Sequence, residues 1–293
     1  MKNQLFHYTT QKGLYGIIES KSLWFTNILF LNDAAECGYT FQLMQDELEE
    51  KRMIHNHPIF NFMKDHSDFQ HFLSIVKYIA SYYVFSFSQK PDDLSQWRAY
   101  GDDGGGYCIE FDYDEILRIA KNNEWPMMPC LYEDEKQREE IIKFIDEQEH
   151  DYLNNPISCK LIETEYLGTK KTDLTDDEDK ILTDIKLDFL GSILKFALKF
   201  KHPQFSEEEE FRILIVEGKS NGRPLKCREG RSTLIPYLDI NIADSGDKMP
   251  IKQIIIGPTN HPLLSKIAIE DILQAHSIEC KVELSKIPYR AKP

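Results

Sequence analysis

The sequence predicts an α+β fold: a mixed, mainly antiparallel central sheet with inserted helices. Three observations carry that expectation. Segments rich in aromatic and β-branched residues, such as Tyr82-Tyr83-Val84-Phe85-Ser86-Phe87-Ser88, read as strands and recur at irregular intervals. Two helical stretches, about 33–80 and about 134–201, interrupt them as insertions. Neither regular strand–helix alternation nor an internal repeat runs through the chain, which disfavours a doubly wound sheet or a solenoid. With 293 residues, 41% hydrophobic and 12% aromatic, the whole of 1–293 can form one domain with a substantial core.

The elements follow in order. Residues 5–8 read as a short strand, then Thr9 or Thr10 caps a helix that turns Leu14, Ile17 and Ile18 inward. A strand at 23–26 precedes a helix that Asn32 or Asp33 can cap, which runs to about Met53; His55 to Pro58 breaks it before a second helix near 59–79. The strand at 82–88 places Phe85 and Phe87 on one face and Val84, Ser86 and Ser88 on the other. One or two helical turns at 91–100 and the glycine-rich 101–106 lead into a strand at 107–111. Helix, strand and helix follow at 115–122, 127–132 and 134–152. Residues 154–179 are the most polar stretch and read as a surface loop or a lobe boundary before a helix at 179–200. Strands at 233–242 and 251–256, a helix at 263–276 and a strand at 279–284 close the chain, with 223–231 read as a polar loop.

A formal charge of −14 argues against a broad basic face for duplex nucleic acid, whose binding depends on neutralised phosphates. The six cysteines are scattered, with neither a Cys-x-x-Cys pair nor His at zinc spacing, so no disulfide framework or structural metal is suggested. The start Met1-Lys2-Asn3-Gln4-Leu5-Phe6-His7 lacks the apolar run of a signal peptide. The most apolar helix candidate, 189–200, carries Lys195 and Lys199 and is shorter than the roughly 20 residues of a membrane span. A cytoplasmic protein with reduced thiols and no membrane partner is the expectation.

The most informative stretch is Glu207-Glu208-Glu209-Glu210-Phe211-Arg212-Ile213-Leu214-Ile215-Val216, where four carboxylates run into an apolar, strand-like segment. Strand alternation puts Glu208, Glu210 and Arg212 on one side and Glu209, Phe211, Ile213 and Ile215 on the other. Such a row can stabilise a developing cation and position a hydroxyl. The plainer alternative is an exposed strand entrance whose Glu–Arg pair contributes roughly 0–1 kcal/mol. His7-Tyr8-Thr9, at the end of a first strand, offers a histidine for a ribose hydroxyl and a tyrosine for ring stacking, or ordinary packing. In Ser95-Gln96-Trp97-Arg98-Ala99-Tyr100-Gly101, Trp97 and Tyr100 offer stacking surfaces and Arg98 a fork for phosphate, with core packing the alternative for the rings. Gly104-Gly105-Gly106 fits neither a P-loop nor a dinucleotide fingerprint and reads first as a turn. Thr259 or Asn260 reads as a helix cap.

These motifs together resemble the DUF2971 family of bacterial proteins of unknown function: His7-Tyr8-Thr9, Asn32-Asp33-Ala34-Ala35-Glu36, Phe85-Ser86-Phe87-Ser88, the Ser95–Gly101 segment and Glu208-Glu209-Glu210-Phe211-Arg212. The opening His-Tyr-Thr and its helix are also similar to the start of ADP-ribosyltransferase folds. That resemblance implies an ADP-ribosyltransferase-like sheet and NAD as cofactor. It implies Glu210 as catalytic carboxylate with Glu208 and His7 beside it, and Tyr8, Thr9, Ser86, Ser88, Trp97, Arg98, Tyr100 and Arg212 as binding residues. Its partners would be NAD or a related nucleotide and an unidentified macromolecular acceptor, protein or nucleic acid, in a toxin or antiphage setting. The chain departs from the superfamily pattern in lacking a first-strand Arg and a clear Ser-Thr-Ser strand. A non-catalytic nucleotide- or ADP-ribose-binding module, or an RNA phosphotransferase or nuclease, are the alternatives.

Overall fold

The computed structural model of the chain describes residues 4–31, 35–55, 58–66, 80–156, 175–218, 222–230, 232–243, 246 and 248–289. Strand β1 (Leu5–Thr9) leads through Thr10 into helix α1 (Gln11–Ser20), and Lys21 in the left-handed region (φ 52°) turns the chain back as β2 (Ser22–Asn27). The cap is Thr10: its hydroxyl accepts from the Gly13 amide, satisfying one of the free N–H groups of the first turn. Leu14, Ile17 and Ile18 are buried at the spacing of one helical face. At Gly13 an added Cβ would collide with Thr9 Oγ1, so this glycine sets how closely α1 approaches the end of β1.

Next come α2 (Ala35–His55), α3 (Pro58–His66), β3 (Ala80–Ser88), α4 (Leu94–Ala99), β4 (Tyr107–Phe111), α5 (Tyr113–Asn122), β5 (Met127–Pro129), α6 (Asp134–Leu153) and α7 (Asp176–Ala197). The chain closes with β6 (Glu210–Gly218), β7 (Lys226–Glu229), β8 (Leu234–Asn241), β9 (Ile251–Ile256), α8 (Pro262–Ala275) and β10 (Lys281–Leu284). The expected cap residues Asn32 and Asp33, most of the polar 154–179 loop and the end of the 59–79 helix lie outside the described residues. The segment 223–231, expected to be a loop, contains β7. The α8 N-cap is His261, without a side-chain cap bond, while the Thr259 hydroxyl accepts from the His261 amide instead.

The sheet runs β10-β9-β4-β1-β3-β2-β8-β7, with β6 also on β3 and β5 on β6. Its strand ladders are antiparallel except β9 with β10. The fold class is therefore the α+β arrangement the sequence predicts. β3 is the branch point. It pairs with β6 along its whole length, from Ala80↔Gly218 to Ser88↔Glu210. Its other edge is divided: β1 joins at Phe6↔Ser88, whereas β2 joins at Thr26↔Val84 and Asn27↔Tyr83.

The two faces of β3 belong to two cores. Phe85 and Phe87 point with Phe211 and Ile213 into a core shared with Leu14, Phe25 and Ile254. Val84 and Leu214 point the other way, where α2, α3, α6 and α7 pack together through residues such as Met44, Phe60, Ile145 and Ile193. The two predicted insertions are thus one helical layer on one face of the sheet. A third, smaller cluster joins Phe6, Tyr8, Trp97, Cys108 and Ile255.

Candidate functional site

Where β1 and β2 part along β3, a cavity of about 780 Å³ opens. Its lining includes His7, Ser86, Ser88, Glu208, Glu210 and Arg212 from the predicted set, together with Tyr8, Thr9 and Tyr100. These residues come from four separate stretches of sequence. Cross-strand register explains part of the convergence: Ser86 lies opposite Arg212 and Ser88 opposite Glu210, so all four share the face that carries Val84 and Leu214 further along.

At one end sits a buried ion network. Arg212 donates from Nε to Glu210 Oε1 (2.7 Å) and from Nη2 to Oε2 (2.9 Å), and its Nη1 reaches the Leu198 carbonyl (3.1 Å). Lys201 donates to Glu210 Oε2 (2.7 Å) and to the Glu208 carboxylate. Tyr100 completes Glu208 through its hydroxyl (3.0 Å). Burial alone would raise the Glu210 pKa, but the Arg212 guanidinium and the Lys201 ammonium outweigh it and hold the carboxyl down to about 2. Glu210 is therefore an ionised acceptor at neutral pH and no source of a proton. Burial and the Glu208 charge push the Tyr100 phenol upward, keeping it a donor.

The glutamate run departs from the predicted alternation. Pro203–Glu208 forms a 3-10 turn, and Glu209 follows in the left-handed region (φ 40°), so the strand begins only at Glu210. Glu208 reaches Glu210's neighbourhood through that turn rather than by sharing a strand face. Glu209 faces Lys90, 3.7 Å away. Ser88 fixes the turn, donating to the Glu208 carbonyl (2.7 Å) and accepting from the Lys90 amide (3.1 Å). Its hydroxyl is thereby committed to structure, whereas the Ser86 hydroxyl has no hydrogen-bond partner among the described residues.

His7 closes the gap between β1 and β2. Its Nδ1 lies 3.1 Å from the Ser86 carbonyl, and a carbonyl can only accept, so Nδ1 carries the proton and Nε2 is left as an acceptor. The ring rests on Phe85 with centroids 4.5 Å apart. Burial, with a further push from the Arg228 charge, lowers the His7 pKa to about 4 against the opposing effect of the Ser86 bond. The imidazole is neutral at pH 7.

Four predicted binding residues stand elsewhere in their contacts. Trp97 is fully buried, donates Nε1–H to Asp92 (2.9 Å) and meets Tyr8 edge to face, so it offers no free surface for stacking. Arg98 lies outside the cavity lining, over the Tyr289 ring at 4.9 Å. Tyr8 borders the cavity, but its ring is packed on Trp97 and its hydroxyl holds the 90–93 loop through the Lys90 carbonyl (2.8 Å) and the Asp93 amide (2.9 Å). Arg212 binds Glu210 and backbone, which makes it a clamp on the carboxylate rather than a ligand-binding fork. The glycine-rich loop is a turn: Gly104 adopts φ +93°, and a Cβ at Gly106 would strike the Thr9 carbonyl.

Three further lining residues have no site role assigned from the sequence. Lys201 is the second cation of the ion network. Trp24 stands beside Tyr237, ring centroids 4.6 Å apart. Arg228, on β7, donates to Thr26 Oγ1 (3.1 Å) and makes no ion pair among the described residues. Period-two spacing on β2, which sets Trp24 and Thr26 on one face, was the available signal; the charged β7 carries none. No group of three His, Cys, Asp or Glu side chains among the described residues is placed to hold a metal, and no helix among them is long and apolar enough to cross a membrane.

The fold and site define an α+β protein whose sheet divides around a polar, charge-lined pocket. Over residues 96–213 the chain matches a family model described as "Protein of unknown function (DUF2971)". That span holds Gln96, Tyr100, Lys201, Glu208, Glu210 and Arg212 and leaves out His7, Ser86, Ser88 and Arg228. No curated protein and no solved structure matches the chain.

Proposed function

We propose that the protein binds NAD in this cavity and breaks the nicotinamide–ribose bond, passing ADP-ribose to a macromolecular acceptor. The observation that carries this reading is the convergence of His7, Ser86 and the ionised Glu210 on one cavity. Its 780 Å³ lies within the roughly 300–1,000 Å³ typical of small-molecule sites. The role of each group follows from its protonation. Glu210, ionised, accepts a ribose hydroxyl and favours positive charge at the anomeric carbon as the bonding pair leaves with nicotinamide. Neutral His7 presents Nε2 to a second hydroxyl, and Ser86 offers a hydroxyl that has no partner among the described residues. Glu208, next to Glu210 and held by Tyr100, orients the acceptor nucleophile, which forms the new bond to that carbon as nicotinamide leaves neutral and gives up its proton to water. A toxin or antiphage effector is the setting that the resemblance suggests.

One observation favours the non-catalytic module. Both Glu210 oxygens already accept from cations, and Glu208 and Glu210 are balanced by Lys201 and Arg212, so that end of the cavity has no net charge to offer. Nicotinamide release from NAD, with candidate acceptors present, separates the two. The enzyme reading expects release by the wild type and a loss of about 100-fold or more in Glu210→Gln, with His7→Ala weakened as well. Binding of NAD without release by the wild type leaves the module reading standing and removes the enzymatic one.

A further inference from the structure

We infer that Arg228 is the phosphate-binding residue of the cavity, so that a ligand lies with its phosphate at the β2–β7 end and its sugar toward Glu210. The second half of that statement rests on the function proposed above; the first does not.

Arg228 differs from the other cations around it. In the same region, Lys226 pairs with Asp239 and Arg223 with Glu217. Among the described residues Arg228 has only the neutral Thr26 hydroxyl, although Glu229, which also lines the cavity, is its neighbour in sequence. Burial lowers its pKa, an effect that no carboxylate offsets. A half-buried guanidinium without a counter-anion is unfavourable in the empty protein, and its planar fork matches a phosphate.

Register defines what surrounds it. Arg228 lies opposite Ile235, two residues from Tyr237 on β8, and Tyr237 lies opposite Thr26, two residues from Trp24 on β2. Arg228, Tyr237, Thr26 and Trp24 therefore project from one face of the sheet. That arrangement sets the guanidinium beside an aromatic wall, as a nucleotide requires. Thr26 lies opposite Val84, and Glu210 lies opposite Ser88, so the two ends of the cavity are four residues apart along β3, about 13 Å at ~3.3 Å per residue. A nucleoside sugar alone does not span that length. A sugar joined through a diphosphate does.

Calorimetry on the full chain with pyrophosphate, ADP and adenosine tests the assignment. The wild type should bind ADP more tightly than adenosine. Arg228→Met should weaken ADP and pyrophosphate by about 10- to 100-fold, the loss of one charge-assisted hydrogen-bonded pair, and leave adenosine unchanged. Arg228→Lys should fall between and keeps the test open should the Met variant not fold. Equal ADP and pyrophosphate binding by wild type and variants, no anion binding by the wild type, or adenosine bound as tightly as ADP each overturns the assignment. Nicotinamide release measured alongside separates the two proposals. Arg228-dependent ADP binding without release removes only the NAD-cleaving reading, whereas release with an unchanged KM for NAD in Arg228→Met removes only the phosphate assignment.

Discussion

Replacing Lys201 by Met should destabilise the protein far more than a surface lysine would. The Lys201 side chain is 6% exposed and is shared between Glu208 and Glu210, the latter 2.7 Å away. At an effective dielectric of about 20, Coulomb's law gives ~6 kcal/mol for that separation. Desolvation opposes it, and removing one member of a buried pair typically leaves a net loss of ~3–5 kcal/mol. The charge count sharpens the expectation. Lys201 and Arg212 face Glu208 and Glu210, so Lys201→Met leaves one cation for two carboxylates, and adding Glu210→Gln restores one of each. The double variant should therefore be more stable than the sum of the single effects by at least ~1.5 kcal/mol. Urea denaturation at pH 7, read through the midpoint with an unchanged slope, measures all four proteins. A Lys201→Met loss under ~1 kcal/mol, or additivity within ~0.5 kcal/mol, would refute the reasoning.

The His7 pKa is lower in the folded protein, about 4 against 6.5, so between those values the unfolded chain binds a proton that the folded one does not. Stability should therefore fall as pH drops from 6.5 to 4, and His7→Asn should remove up to about 3 kcal/mol of that slope; parallel pH profiles of urea midpoints for the two proteins would sink this. Trp97→Ala should cost ~3–5 kcal/mol in denaturation while leaving ADP affinity unchanged, because the ring fills a core and lies outside the cavity lining; a folded variant with altered affinity would restore the stacking role. Gly13→Ala should lower stability by ~1–3 kcal/mol through the contact with Thr9, checked by thermal melting.

Much of the fold could be read from periodicity. The alternation in 82–88 and the inward Leu14, Ile17 and Ile18 were visible because each element's own pattern states its faces. Glu210 and Arg212 were visible for the same reason, being two apart on one strand. Glu208 was assigned to that strand wrongly, because a single left-handed residue, Glu209, breaks the alternation without any compositional mark. Whether Trp97 faces the core or a ligand stayed open in the sequence because a six-residue helix has too few turns to show which side is buried. Arg228 was missed since β7 is short and largely exposed, so its residues resemble a polar loop. Lys201 was missed since its importance comes from the chain folding back over nine residues onto Glu210.

The divided edge of β3 has a consequence for how ligands can be found. The walls of the cavity include β1 and β2, joined by α1 and separated where His7 reaches Ser86. A guest would touch two strands that, among the described residues, are joined through β3 and α1, so it would be held only while both strands keep their places on β3. Occupancy should register as heat resistance of the whole molecule, about 2.7 kcal/mol at a ligand concentration 100 times Kd. A melting screen of nucleotides and sugar phosphates can therefore identify the occupant before any reaction has been observed.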